Sequence, residues 1–128
     1  MDILIDTHTA LWWINEHENL SKIAKTVLLD ENNALYISII SSWEIAIKSS
    51  IGKLTDFDVG VGGFHKQLRF MPVKLLPIQQ RHIEIVEKLP FLHKDPFDRM
   101  LIAQAATDNM TILTADENIH RYDILTIW

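Results

Sequence analysis

Four acidic residues stand where stretches with strand character give way to stretches with helical character. They are Asp6, Glu44, Asp98 and Asp116. In an open parallel α/β sheet, ligands bind at the carboxyl ends of the strands, so residues far apart in sequence meet there. Two carboxylates about 4 Å apart repel by roughly 4 kcal/mol at an effective dielectric near 20, so a cluster of them takes up protons or binds a cation. Because oxygen ligands suit hard cations, the four acids predict a site for Mg²⁺ or Mn²⁺.

Each of these acids also has a purely structural interpretation. Asp95 lies before a proline, which is typical of a helix N-terminus, and Asp98 then sits in the first turn, where the helix dipole favours a carboxylate. Ser41 and Glu44 match a capping box. Asp116 could open a short last helix. Capping alone does not predict that all four acids fall at one edge of one sheet, and this conjunction favours a shared pocket.

The elements that would position these acids alternate between strands and helices. Short apolar runs predict strands at residues 2–6, 35–38, 74–76, 111–114 and 124–127. Apolar spacing and capping signals predict helices at residues 7–17, 20–30 (capped by Ser21 or Asn19), 43–50, 64–70, 79–89 and 96–109. Residues 55–63 contain three glycines and predict a loop. The alternation predicts a three-layer α/β/α sandwich around a mostly parallel sheet of about five strands.

The composition is that of one globular domain covering residues 1–128, with 48% hydrophobic and 23% charged residues. The sequence has no cysteine, which excludes a disulfide framework and a thiolate nucleophile and suits a reducing cytoplasm. It has no basic leader and no apolar run of membrane-spanning length. We therefore expect neither a signal peptide nor a membrane anchor, and a cytoplasmic location.

The net charge of −5 argues against a general electrostatic binder of nucleic acid, but the charge is unevenly distributed. Residues 48–94 carry eight basic and four acidic side chains, whereas both flanking segments are net negative. The basic candidates for phosphate contacts are Lys48, Lys53, Lys66, Arg69, Lys74 and Lys94. The same side chains could simply solvate helix surfaces, so this interpretation stays open.

The sequence resembles the PIN-domain family over essentially its whole length. The segments that carry the resemblance are IDTH at 5–8, SSWEI at 41–45, HKDPFDRMLIAQA at 93–105 and ILTAD at 112–116, of which 93–105 is the most specific. Within the family, the chain looks most like VapC-type toxins, small ribonucleases held inactive by a cognate antitoxin. The resemblance implies an α/β sheet flanked by helices and a Mg²⁺ or Mn²⁺ site. The implied metal-site acids are Asp6, Glu44, Asp98 and Asp116, with Asp95 as a neighbour.

The resemblance also implies an RNA substrate, a cognate antitoxin, frequent homodimers, and in-line cleavage that leaves a 5′-phosphate and a 3′-hydroxyl. Thr7 and Thr114 could hydrogen-bond the carboxylates or a phosphate, or could cap helices. Arg99 could contact a phosphate or pair with a carboxylate across its helix. His8 and His93 lie close in sequence to the acids and are weaker candidates for contact with the substrate.

Other functions remain open. They are a PIN-domain RNA-processing nuclease without a toxin role, a phospho-acceptor receiver, and a catalytically silent interaction module. A receiver needs a lysine at a late strand end, but no lysine follows Lys94. A haloacid-type phosphatase is disfavoured because no second aspartate lies two positions after Asp6, and a zinc hydrolase because the sequence has no His-x-x-x-His pair.

Trp12 and Trp13 are neighbours, so on a helix their side chains point about 100° apart and cannot both face one core. We expect at least one of the two rings at a surface built for a partner. Two partly buried rings are the alternative.

Overall fold

The computed structural model describes residues 1–54 and 57–128, in which strands and helices alternate as predicted. The strands are β1 (Asp2–Ile5), β2 (Ala34–Ser38), β3 (Val73–Leu76), β4 (Thr111–Leu113) and β5 (Thr126–Ile127). The helices are α1 (Thr7–Ile14), α2 (Lys22–Leu29), α3 (Ile39–Ser50), α4 (Gly60–Leu68), α5 (Gln80–Lys88), α6 (Pro96–Asp108) and α7 (Glu117–His120). None of the helices in these ranges is long and apolar enough to cross a membrane.

The strands of the described ranges form one five-stranded sheet in the order β3-β2-β1-β4-β5, and every neighbouring pair is parallel. Strand β1 lies at the centre, where Ile3 pairs with Leu35 of β2 and with Thr111 of β4. Because all strands run the same way, their carboxyl ends share one edge of the sheet. The residues that follow β1, β2 and β4 therefore lie near one another, as the sequence predicts.

Helices cover both faces of this sheet. On one face, Ile3 and Ile5 belong to a core that includes side chains of α1, α2, α3 and α4. On the other face, Leu4 and Ile112 pack with side chains of α6 and α7, and α5 lies against α6. Successive side chains of a strand point to opposite faces, so the continuously apolar β1 supplies both cores. The predicted three-layer α/β/α sandwich is confirmed.

Helix α3 begins earlier than predicted, at Ile39 instead of Trp43. Its N-cap is Ser38, whose Oγ accepts a hydrogen bond from the Ile40 backbone N–H at 3.1 Å. Since β2 ends at the same serine, no loop separates this strand from its helix. The capping box predicted for Ser41 and Glu44 is therefore wrong, because both residues lie inside the helix.

Helix α4 includes residues that were predicted to form a loop. It begins at Gly60, so the prediction is wrong for residues 60–63, while Thr55 and Asp56 lie outside the described residues. The glycines suggested a loop, but Gly63 has a packing role within the helix. A Cβ at this position would lie 2.4 Å from the Val59 side chain, so a larger residue would not fit without a shift. The remaining predicted elements overlap the observed ones, and Ser21 caps α2 as predicted.

Candidate active site

Asp6 follows the last residue of β1 and caps α1. Its Oδ1 accepts a hydrogen bond from the Thr9 backbone N–H at 2.7 Å, and its Oδ2 accepts one from the Thr114 hydroxyl. Burial raises the pKa of Asp6 above its usual value, and the hydrogen bonds from Thr114 and Thr9 partly oppose that shift. Capping and membership of an acidic pocket are therefore compatible at this residue.

Thr114 connects Asp6 with the segment that carries Asp116. Its hydroxyl donates to Asp6 and accepts from the Asp116 backbone N–H at 3.0 Å. Asp116 in turn caps α7, because its carboxylate accepts from the Asn118 backbone N–H at 2.8 Å. The predicted carboxylate contact of Thr114 is confirmed. Thr7, in contrast, donates to the Ser41 hydroxyl at 2.8 Å and so links α1 to α3.

Glu44 lies on the buried side of α3 with only 4% of its surface exposed. Its Oε2 accepts a hydrogen bond from the ammonium of Lys48, one turn further along the helix. The sequence analysis treated Lys48 as a candidate phosphate contact or a solvated side chain, and did not predict its pairing with Glu44. The four-residue spacing from Glu44 is the signal that could have predicted this pair.

Asp98 enters the site from the first turn of α6. Asp95 caps this helix, with its Oδ1 accepting from the backbone N–H groups of Phe97 at 2.9 Å and Asp98 at 3.0 Å. The predicted capping role of Asp95 is thus confirmed, and the side chain of Asp98 is not needed as the cap. The Oδ2 of Asp98 instead lies 3.2 Å from Nε2 of His93.

The charges of the acidic residues converge on Asp98. Burial raises the pKa of Asp98 to about 8, and the negative charges of Asp95, Asp116, Glu44 and Asp6 contribute to the same shift. Asp6, Glu44, Asp95 and Asp116 are therefore all close enough to Asp98 to raise its pKa. A cation placed among them would reverse the shift, because it favours the charged carboxylates.

The side chains are not arranged as a finished coordination sphere. Among residues 1–54 and 57–128, no three His, Asp or Glu side chains stand close enough to hold one ion in their present orientation. Each of these carboxylates is instead hydrogen-bonded to donors of its own. Among the described residues, Glu44, Asp98 and Asp116 each use one carboxylate oxygen for that donor. The second oxygens form an oxygen-only donor set, which fits Mg²⁺ or Mn²⁺ once the side chains rotate.

Arg99 does not form the carboxylate pair that was one of its two predicted contacts. Its guanidinium donates to the carbonyl oxygens of Pro90 at 3.0 Å and Val86 at 3.3 Å, and to the Tyr122 hydroxyl at 3.0 Å. It also lies over the ring of Phe91, 5.0 Å from the centroid. Arg99 therefore holds the connection between α5 and α6 together, and its predicted contact with a phosphate stays a prediction.

The two adjacent tryptophans are both partly buried, so the alternative interpretation holds and the expectation of an exposed ring is wrong. Trp13 packs against the core, while Trp12 stacks on His17, with ring centroids 5.8 Å apart. Trp12 also lines a cavity of about 250 Å³ with His8, Asp6, Ala115 and Asp116. A different tryptophan, Trp43, is 59% exposed on α3 beside Glu44.

Comparison with known families decides the classification. The model of the PIN domain matches residues 3–125. The chain belongs to the PIN domain family. Because PIN domains are nucleases as a family, membership supports hydrolysis of a nucleic acid.

Solved structures with the same fold include complexes from several bacteria. VapBC2 from Rickettsia felis bound to a DNA fragment from its promoter is 17% identical, with a TM-score of 0.74 over 99% of this chain and 98% of that chain. DNA-bound VapBC from Salmonella typhimurium is 16% identical, with a TM-score of 0.67 over 100% and 97%. VapBC-5 from Mycobacterium tuberculosis, of the VapBC family of toxin-antitoxin systems, is 12% identical, with a TM-score of 0.64 over 98% of both chains. At these identities the likeness shows the fold alone. No curated protein sequence matches the chain.

Proposed function

We propose that this PIN domain is a Mg²⁺- or Mn²⁺-dependent endoribonuclease that acts in the cytoplasm as the toxin of a toxin-antitoxin pair. The observation that carries the nuclease assignment is the convergence of four negative charges on Asp98 at the carboxyl edge of a parallel sheet. Such a cluster is costly to leave ionised, and active sites are where carboxylates with strongly shifted pKa values concentrate.

Asp6 and Asp98 would hold the cation directly, Glu44 would hold it or orient the attacking water, and Asp116 would hold it or support a ligand. A bound divalent cation lowers the pKa of a water and offsets negative charge on the scissile phosphate. Hydrogen bonds within the protein orient two of these carboxylates. The Thr114 hydroxyl donates to Asp6, and the Asn118 backbone N–H donates to Asp116. In-line attack by the oriented water would leave a 5′-phosphate and a 3′-hydroxyl.

RNA is the substrate that fits the family resemblance and the basic middle third of the chain. Lys48 already lies at the acidic site through its bond to Glu44, so it is placed to reach a phosphate once a cation replaces it there. Lys94 is exposed and directly precedes Asp95. These two lysines are our candidates for contacts with the RNA backbone.

The toxin role is supported by the similar structures. Each of these alignments covers nearly the whole of this chain and nearly the whole of the matched chain. We therefore expect a cognate antitoxin and a homodimer. A PIN-domain RNA-processing nuclease without an antitoxin is the second candidate, since the same acidic site would serve it.

A direct test of the nuclease is incubation of the purified protein with mixed RNAs in Mg²⁺ or Mn²⁺, beside a chelator control. Cleavage should require the cation and yield 5′-phosphate ends. Asp98→Asn should be inactive, while Asp108→Asn, at the far end of the same helix, is the matched control and should cleave normally. Cleavage that persists in the chelator would remove the metal mechanism.

The toxin role is tested separately by induced expression in a bacterial host. The wild-type protein should arrest growth, Asp98→Asn should not, and co-expression of the antitoxin should restore growth. Sedimentation of the purified chain reports whether it is a dimer. Unchanged growth with an active nuclease would favour the RNA-processing role.

A further inference from the structure

His93 connects Asp98 to a hydrogen-bonded chain that reaches into the core. Its Nε2 lies 3.2 Å from Oδ2 of Asp98, and its Nδ1 lies 2.8 Å from the hydroxyl of Tyr122. The rings of His93 and Tyr122 also meet edge to face, with centroids 5.4 Å apart. Tyr122 is buried, with 5% of its surface exposed, so the histidine is held from the side opposite to Asp98.

The hydrogen bonds of the Tyr122 hydroxyl fix the direction of this chain. Its oxygen accepts from Nη1 of Arg99 at 3.0 Å and from the His93 backbone N–H at 3.3 Å. A hydroxyl has two acceptor lone pairs and one hydrogen, so both lone pairs are taken and the hydrogen must be donated to Nδ1. The ring proton of a neutral His93 then belongs on Nε2, from which it is donated to the Asp98 carboxylate.

Arg99 is the fixed origin of this arrangement. A guanidinium remains protonated in proteins and has donors only, so it always donates to the Tyr122 oxygen. Its side chain is buried, and the Pro90 and Val86 carbonyls hold its other N–H groups. The direction of every bond from Arg99 to Asp98 therefore follows from two donors that cannot reverse, the Arg99 guanidinium and the His93 backbone N–H.

We propose that His93 is a positioning residue, which holds the Asp98 carboxylate toward the cation through its Nε2–H while Tyr122 and Arg99 fix the tautomer. This role rests on the proposed metal site, since it concerns the orientation of one of its ligands. A donor on Oδ2 leaves Oδ1 of Asp98 for the cation. Partners of this kind typically change metal affinity by 10- to 100-fold when they are removed.

Two substitutions of His93 test whether a hydrogen-bond donor is needed at the position of Nε2, or whether any polar side chain at residue 93 is enough. In His93→Gln the side-chain amide nitrogen lies near the place of Nε2, whereas in His93→Asn it lies near the place of Nδ1. We expect His93→Asn to weaken Mn²⁺ binding at least about tenfold and His93→Gln to keep most of the affinity. Calorimetric titration of the RNA-free protein with Mn²⁺ measures both, with Asp108→Asn as the unchanged control and circular dichroism as the check on folding.

A second measurement observes the imidazole of His93 directly in the wild type and in one variant. Nitrogen-15 spectra of the imidazole of His93 should show the hydrogen on Nε2, and Tyr122→Phe should lose this preference. A hydrogen on Nδ1 in the wild type would overturn the inference, as would unchanged Mn²⁺ affinity in His93→Asn. Wild-type protein that binds no Mn²⁺ would overturn the proposed metal site itself and the role of His93 with it.

Discussion

Helix α6 carries an aspartate paired with a histidine at each end, and the two pairs behave in opposite ways. At the N-terminal end, Asp98 lies 3.2 Å from Nε2 of His93, and its pKa is raised to about 8. At the C-terminal end, Asp108 lies 2.9 Å from Nε2 of His82, and its pKa is lowered. The same pair of residue types on one helix therefore gives two opposite shifts.

The surroundings of each pair explain the difference. Burial and four neighbouring carboxylates raise the pKa of Asp98. Partial burial would also raise the pKa of Asp108, but hydrogen bonds from His82 and Arg81 and their positive charges outweigh it. The helix dipole favours the reverse order, since it stabilises anions at the N-terminus. Burial and neighbouring negative charges thus raise the pKa at one end of α6, whereas basic partners lower it at the other end, where Asp108 links α5 to α6.

The largest expected difference between the two ends is in cleavage. Asp98→Asn removes one of the carboxylates proposed to hold the cation and should lower the rate of RNA cleavage by at least about a hundredfold, the upper end of what loss of a ligand's partner costs. Asp108→Asn should leave the rate within about twofold of the wild type, because Asp108 binds Arg81 and His82 at the far end of α6. Single-turnover assays at saturating Mg²⁺ compare the two. Equal losses would show that α6, not the acidic pocket, matters for activity.

The second prediction concerns how the stability of Asp98→Asn, relative to the wild type, changes with pH when no metal is added. The folded-state pKa of Asp98 is raised to about 8, above an unfolded value near 4, so the folded state binds more protons between these values. The cost of ionising Asp98 is absent below about pH 4, grows as the pH rises, and is complete above about pH 8. Asp98→Asn should therefore be more stable than the wild type at pH 8 and lose this advantage by pH 4. Chemical denaturation at both pH values in a chelator measures it, and a mutant that is less stable at pH 8 would mark Asp98 as a structural residue.

Added cation should reduce the stability advantage of Asp98→Asn over the wild type. Binding to the folded state alone stabilises a protein by about 2.7 kcal/mol at a ligand concentration 100 times the Kd. Wild type and Asp108→Asn should both gain this amount from saturating Mn²⁺, while Asp98→Asn should gain much less. Thermal melts over a Mn²⁺ series give the three values. An equal gain in Asp98→Asn would place the cation elsewhere.

Contacts between residues close in sequence could be predicted from the sequence, whereas contacts between distant residues could not. Asp95 and Asp98 could be predicted because a capping aspartate before proline is a local signal. Asp6 followed from the apolar run before it. The pair of His82 with Asp108 spans 26 residues and depends on the packing of α5 against α6, so no local pattern predicts it.

Two local errors have the same physical origin. Ser38 was assigned only to a strand, yet it also caps α3, because one residue can end a strand and open a helix. Gly63 was interpreted as a loop residue, although its missing side chain is what allows Val59 to lie so close. In both cases the decisive contact involves a residue whose type favours two different structures. The contact between His93 and Tyr122 is different, because it spans 29 residues and has no local signal.

The smallest expected effect tests the clamp at Asp108. Arg81 donates two hydrogen bonds to Oδ1 of Asp108, at 3.0 and 2.9 Å, but its side chain is 51% exposed. Exposed ion pairs contribute about 0.2–1 kcal/mol, so Arg81→Ala should lower the free energy of unfolding by no more than about 1 kcal/mol.

Because the folded pKa of Asp108 is lowered, its contribution to stability is present above the unfolded value near 4 and is lost as the pH falls through the folded value. The difference between Arg81→Ala and wild type should therefore be seen at pH 7, shrink in high salt, and fade in acid. Nuclear magnetic resonance titration of the Asp108 carboxyl should show a higher pKa in the variant, with cleavage unchanged. An unaltered pKa would mean that His82 alone sets the opposite behaviour of the two ends of α6.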